Sequence, residues 1–163
     1  MIAPHPDDET LGCGGTILKH KANGDKVHWL IVTNYNKQNL AYNERQLEIE
    51  KVAKLYSFDS LIKLNIETTT IDQVSITRLI DLIKTEINKI EPNIIYIPFL
   101  YDIHTDHQNV AHAMLSFSKW FRYPFIKQIN MYETISETNF NFKNKQFTPN
   151  LFINISDYME KKK

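Results

Sequence analysis

Apolar residues recur at two spacings along this chain, and the spacing switches repeatedly from one to the other. Residues 27–33, with Val27, Trp29, Leu30, Ile31 and Val32, form a β-branched and aromatic run, and residues 94–98 form another that ends at Pro98. Both predict central strands. Shorter runs at 60–64, 127–132 and 151–155 predict further strands, each bounded by polar or turn-forming residues. Helical spacing occupies the intervals between them: 14–23 before Gly24, 41–56, 75–90 before Glu91-Pro92, and 107–120. In the third of these Ile76, Leu79, Ile80, Ile83 and Ile87 fall on one stripe, with Arg78, Asp81, Lys84 and Glu86 largely opposite, the pattern of a helix packed on a sheet. Strand and helix in alternation predict an α/β domain with a mostly parallel sheet. The segment 136–146 loses both periods and predicts an ordered loop rather than a linker.

The chain has 163 residues, enough for one domain with a substantial core, so residues 1–163 are expected to form a single domain. Before Pro4 only three residues are available for a first strand, short of the usual five or six, and 156–160 reads as the opening of a helix. The expectation is a domain trimmed at both ends, its C-terminal part missing. Lys and Arg together balance Asp and Glu at 19 each, which argues against a nucleic-acid partner, and Lys161-Lys162-Lys163 is too short to act as a basic arm. The single cysteine, Cys13, excludes an internal disulfide framework. With no apolar run of about 18 residues and no signal-like opening, the expectation is a cytoplasmic protein without a transmembrane segment; a homo-oligomer is compatible with it.

Candidate chemistry concentrates in two short segments. In the first, 3–15, His5 and the three consecutive acids Asp7, Asp8 and Glu9 lie between the short first strand and a glycine-rich helix start. Three adjacent carboxylates repel one another unless they cap the next helix, face water or surround a cation. The second segment, 101–110, follows the strand ending at Pro98 and carries Asp102, His104, Asp106 and His107. Loops at the carboxyl ends of strands form the binding crevice of an open α/β sheet, so both segments are expected to converge there. Convergence brings together His5, Asp8 and His107, two imidazoles and a carboxylate, which leave one position open on a catalytic zinc. The same set describes non-haem iron sites, so Fe2+ is the other candidate ion. A dinucleotide site is disfavoured, because Gly12-Cys13-Gly14-Gly15 lacks the required glycine spacing and the acids before it repel a pyrophosphate.

His5-Pro6-Asp7-Asp8-Glu9, then Gly12-x-Gly14-Gly15, and His104-x-Asp106-His107-x-x-Val110 resemble the signatures of the LmbE/PIG-L N-acetylglucosaminyl deacetylases. The resemblance runs along nearly the whole chain. It implies a Rossmann-like fold, metal ligands His5, Asp8 and His107, Asp7 as general base and His104 as the group that stabilises the oxyanion. It also implies a substrate contact from Arg45, in an Arg45-x-x-Glu48 pattern on the second helix, and a small-molecule N-acetylated amino sugar or sugar conjugate as substrate. Two positions depart from the family pattern: Thr33-Asn34-Tyr35 stands where relatives usually have Thr-Asp-Gly, and Asp102 where some carry a catalytic tyrosine.

The residue types also suggest a mechanism independently. Zinc lowers the pKa of water to about 7 and Asp7 accepts the proton as the amide carbonyl is attacked. A positively charged His104, oriented by Asp106, then stabilises the oxyanion. A catalytically idle metal-binding or sugar-binding module of the same fold is the alternative.

Overall fold

The computed structural model describes residues 1–135, 137–140 and 144–162. Within 136–146, Ser136, Asn141, Phe142 and Lys143 lie outside the described residues, as does Lys163 at the end of the lysine tail. The order of elements is β1 (Ile2–Ala3), α1 (Asp8–Ala22), β2 (His28–Asn34), α2 (Tyr42–Tyr56), β3 (Ser60–Glu67), α3 (Ile76–Ile90), β4 (Ile94–Pro98), α4 (Thr105–Leu115), β5 (Gln128–Tyr132) and α5 (Met159–Lys162).

All strand pairs are parallel. β2 lies between β1 and β3, while β4 pairs with β5. The two ladders meet where β4 packs against β1, a contact tied by the Tyr132 hydroxyl, which donates to the Ile2 carbonyl at 3.1 Å. Chain direction is shared but the order of connection reverses between β1 and β4, which makes this junction the topological switch point of the sheet. The loops leaving β1 and β4 open on the same edge. They carry the two segments of candidate chemistry.

The residues that form β2 explain its place: Trp29, Ile31, Val32 and Thr33 are each at most 1% exposed, a strand covered on both faces. On one side Leu79, Ile83 and Ile87 of α3 and Val110, Ala113 and Met114 of α4 close a core with Leu30, Val32, Ile95 and Ile97. Each such aliphatic side chain contributes roughly 1.5–3 kcal/mol by leaving water. Ile76, expected on the buried stripe, is 47% exposed at the first position of α3, just after the cap in which Ser75 accepts from the Arg78 N–H.

Three boundaries differ from the sequence expectation. α1 begins at Asp8 rather than near residue 14, so the glycines lie inside the helix. They are there for packing: a Cβ on Gly12 would stand 2.3 Å from the Tyr132 ring and one on Gly15 2.4 Å from Ile155. The amides of Gly14 and Gly15 therefore belong to the body of the helix and form no exposed anion cradle. Residues 151–155 form no strand; Leu151 and Phe152 are exposed, and Ile155 is used against Gly15. The last expected helix shortens to Thr105–Leu115, followed by a 3-10 turn at Ser116–Ser118. Among the described residues no helix is long and apolar enough to cross a membrane.

Candidate metal centre

The β1–α1 loop and the start of α4 bring three potential ligands together. His5 Nδ1, Asp8 Oδ2 and His107 Nε2 form a triangle with edges of 3.4 Å (His5 to Asp8), 3.3 Å (Asp8 to His107) and 3.3 Å (His5 to His107). A tetrahedral ion with N and O ligands at about 2.0–2.1 Å has ligand–ligand edges of about 3.3–3.4 Å, so the donor set fits a single small divalent cation. Asp8 is 2% exposed and His107 1%.

Local structure fixes each side chain. Asp8 Oδ2 accepts from the His5 backbone N–H at 2.8 Å, folding the loop so that both point inward. Asp7 takes the N-cap position of α1 without a side-chain capping bond, so the cap reading of the acidic run does not describe it. His5 Nε2 meets Asp106 Oδ2 at 3.1 Å, and His107 Nδ1 meets Asp102 Oδ2 at 2.8 Å. Both imidazoles are thus gripped by a buried carboxylate on the ring nitrogen that faces away from the triangle, an arrangement that orients a ligand and sets its tautomer.

These contacts correct two expectations. The Asp106 carboxylate does not orient His104: its Oδ2 serves His5 and accepts from the Thr69 N–H at 3.0 Å. His104 caps α4, with Nδ1 accepting from the Asp106 N–H at 3.1 Å, which leaves the proton on Nε2. Its pKa is lowered, first by burial and then by the charge of His5, so the neutral ring rather than the expected cation is favoured. A second group of possible ligands, His5, His104 and Asp106, is also close, but these internal hydrogen bonds already engage its atoms.

Electrostatics agree with a site built for a cation. Burial alone would lower the histidines, but hydrogen bonds to Asp106 and Asp8 raise His5 to about 9, and those to Asp102 and Asp8 raise His107 to about 10. Burial would likewise raise Asp8, yet its bonds to His107 and His5 hold it well below the usual carboxylate range. Asp7 is raised by partial loss of water and by the Asp8 charge beside it, which makes it a better proton acceptor. Glu9 is fully buried in α1, accepts from the Thr10 hydroxyl at 2.7 Å, and is pushed by burial up to about 7.

The triangle opens on a cleft of about 310 Å³ whose lining includes Asp7, Tyr35, Arg45, His104, Thr134 and Glu137. Arg45 donates to the Tyr35 hydroxyl at 3.3 Å, lies over the Tyr35 ring, and pairs with Glu48 at 3.5 Å, as an i, i+3 ion pair should. Tyr101 packs on Phe99 and is not among the lining residues. Sequence reasoning gave no role to Asp102, because its bond to His107, five residues on, depends on side-chain direction. It had no signal for Thr134 or Glu137, which follow β5 and reach the cleft only through the fold.

Comparison with known proteins follows the same line. The chain is 28% identical to a diacetylchitobiose deacetylase of Thermococcus kodakarensis, over 99% of this chain and 64% of that protein. It therefore spans less than two thirds of that relative. The crystal structure of an N,N'-diacetylchitobiose deacetylase from Pyrococcus horikoshii, complexed with its inhibitor, superposes with a TM-score of 0.73 at 26% identity, covering 99% of this chain and 65% of that one. A 4-carboxy-2-hydroxymuconate hydratase from Pseudomonas putida shares the fold at a TM-score of 0.74 and 17% identity, over 99% and 73% of the two chains. Fold alone thus does not select the chemistry. The sequence of residues 1–118 does select a family, PIG-L, the GlcNAc-PI de-N-acetylases, and this chain belongs to it.

Proposed function

We propose that the protein is a metal-dependent hydrolase that removes the acetyl group from an N-acetylated amino sugar or sugar conjugate. The observation that carries this reading is the triangle of His5 Nδ1, Asp8 Oδ2 and His107 Nε2 at tetrahedral spacing, open to a cleft that also holds Asp7 and His104. Two imidazoles and a carboxylate favour zinc, with Fe2+ as the alternative ion. The deacetylase names of the relatives support the substrate class.

A divalent metal held by His5, Asp8 and His107 supplies Lewis acidity toward water and the amide carbonyl. The chain's own groups perform the proton transfers. Asp7, beside the triangle but outside it, accepts the proton of the attacking water. The His104 Nε2–H donates to the oxyanion that develops on the carbonyl oxygen. When the C–N bond breaks, Asp7 returns its proton to the leaving nitrogen, giving acetate and a free amine. Arg45, held in place by Tyr35 and Glu48, is the group positioned to hold sugar hydroxyls.

The test measures metal per chain and acetate release from a panel of N-acetylated amino sugars, for the wild type, Asp7→Ala and His107→Ala. The expected result is near-stoichiometric metal in the wild type and in Asp7→Ala, with release reduced about 10²–10⁴-fold in Asp7→Ala and metal lost in His107→Ala. Metal binding without release from any panel member would instead favour an idle metal-binding module.

A further inference from the structure

α4 runs into the 3-10 turn at Ser116–Ser118, and residues 119–127 then lead into β5. Hydrogen bonds close this connection on itself. The Arg122 and Tyr123 N–H groups donate to the Lys119 carbonyl at 2.8 and 3.1 Å, and the Ile126 N–H donates to the Tyr123 carbonyl at 3.0 Å. Tyr123 is buried with its ring 5.0 Å from that of Phe117, and the Lys127 N–H donates to the Asn93 carbonyl at 2.8 Å. The backbone is thus held firmly, yet its apex leaves Trp120 78% and Phe121 63% exposed. The two rings meet edge to face at 6.1 Å, and among the described residues neither joins the hydrophobic core. An ordered turn that keeps two adjacent aromatic side chains in water marks an interaction surface.

Charge and size identify what covers it. Lys119 and Arg122 are exposed on either side of the aromatic pair, with the Arg122 guanidinium 5.9 Å from the Phe121 ring, and Lys127 is exposed at the end of the turn. No Asp or Glu occurs between Asp106 and Glu133, so these cations have no acid in their own stretch, in a chain whose net charge is zero. Two rings of about 150–250 Å² each fall short of the roughly 800 Å² per partner that a stable protein interface buries. Aromatic side chains flanked by Lys and Arg do match a lipid surface, where rings enter the boundary between headgroups and acyl chains and the cations meet anionic headgroups.

We infer that the 119–127 turn docks the protein on an anionic membrane surface, with Trp120 and Phe121 entering the interface and Lys119 and Arg122 on the headgroups. His107 stands near the start of α4 and Thr134 follows β5, whereas the turn follows the end of α4 and precedes β5. The turn therefore occupies the sheet edge opposite the candidate metal centre, and docking leaves the cleft facing water.

The full chain is mixed with vesicles of phosphatidylcholine alone and of phosphatidylcholine with about 30 mol% phosphatidylserine, and binding is read by co-sedimentation and tryptophan emission. Of the two tryptophans Trp29 is buried in β2, so a blue shift on adding vesicles reports Trp120. The expected result is a blue shift and binding about tenfold or more tighter to the phosphatidylserine vesicles, weakening as salt is raised. The double exchanges Trp120→Ser with Phe121→Ser and Lys119→Glu with Arg122→Glu are each expected to weaken sedimentation about tenfold or more, with thermal unfolding unchanged because all four side chains are exposed. No binding to either vesicle, equal binding to both, or binding that survives either double exchange would overturn the proposal. So would a blue shift that appears on raising protein concentration without lipid, which assigns the patch to a second copy of the chain.

Discussion

Asp102 and Asp106 do not line the cleft, yet each grips one candidate ligand histidine from behind, and each has a second oxygen, Oδ1, buried without a hydrogen-bond partner among the described residues. Replacing either carboxylate by an amide keeps the shape but weakens the pull on the imidazole proton and upsets the tautomer. Asp102→Asn is expected to lower metal affinity about 10–100-fold, with activity recovered at excess metal, measured by metal titration against a competing chelator. A different outcome is expected at Glu9. Its folded pKa, about 7, lies above the ordinary glutamate value, so the folded state holds the proton more tightly than the unfolded chain. Stability is therefore fully present below about 4.5 and is lost as pH rises to about 7. Glu9→Gln removes that loss and should stabilise the protein at pH 8 by up to about 3 kcal/mol, read from denaturant unfolding at pH 4 and pH 8.

At the scale of elements, the site depends on how closely α1 approaches the strands. Gly12 faces Tyr132, the residue that also ties β5 to β1, and an added methyl would meet the ring at 2.3 Å. Gly12→Ala is expected to cost about 1–3 kcal/mol in stability and to lower metal affinity, since Asp8 lies one turn earlier on the same helix. Ile83 anchors α3 at 0% exposure and is remote from the cleft; Ile83→Ala should cost about 2–5 kcal/mol with little change in metal binding of the folded protein. Calorimetry combined with metal titration separates the two cases.

At the scale of the whole molecule, the candidate ligands come from the first and fourth strand–helix units, so a bound metal would be coupled to the fold. In the metal-free protein His5 and His107 are held protonated by Asp8, Asp102 and Asp106, at about 9 and about 10 against an ordinary 6.5. These raised values contribute stability that is fully present below about 6.5 and lost as pH climbs through 9 to 10. The metal-free protein should thus melt at lower temperature as pH rises across that window, whereas the metal-loaded protein, whose ligand nitrogens carry no exchangeable proton, should change less; thermal unfolding with and without chelator checks this. Much of this architecture was legible in sequence, because hydrophobic period is local: 94–98 was read as the strand that forms, and 75–90 differs from α3 only by its capping serine. The convergence of His5, Asp8 and His107 was legible too, since they follow strands β1 and β4, whose carboxyl ends an α/β sheet sends to one edge. Pairing of buried charges was not. Whether Asp106 serves His104 or His5 depends on side-chain direction across about 100 residues of chain, and the neutral state of His104 depends on the cap it forms and the charge opposite it. Periodicity and motif thus determined the scaffold and the candidate ligands, while tertiary structure decided which acid holds which base, because that choice is made by distances of about 3 Å between residues far apart in sequence.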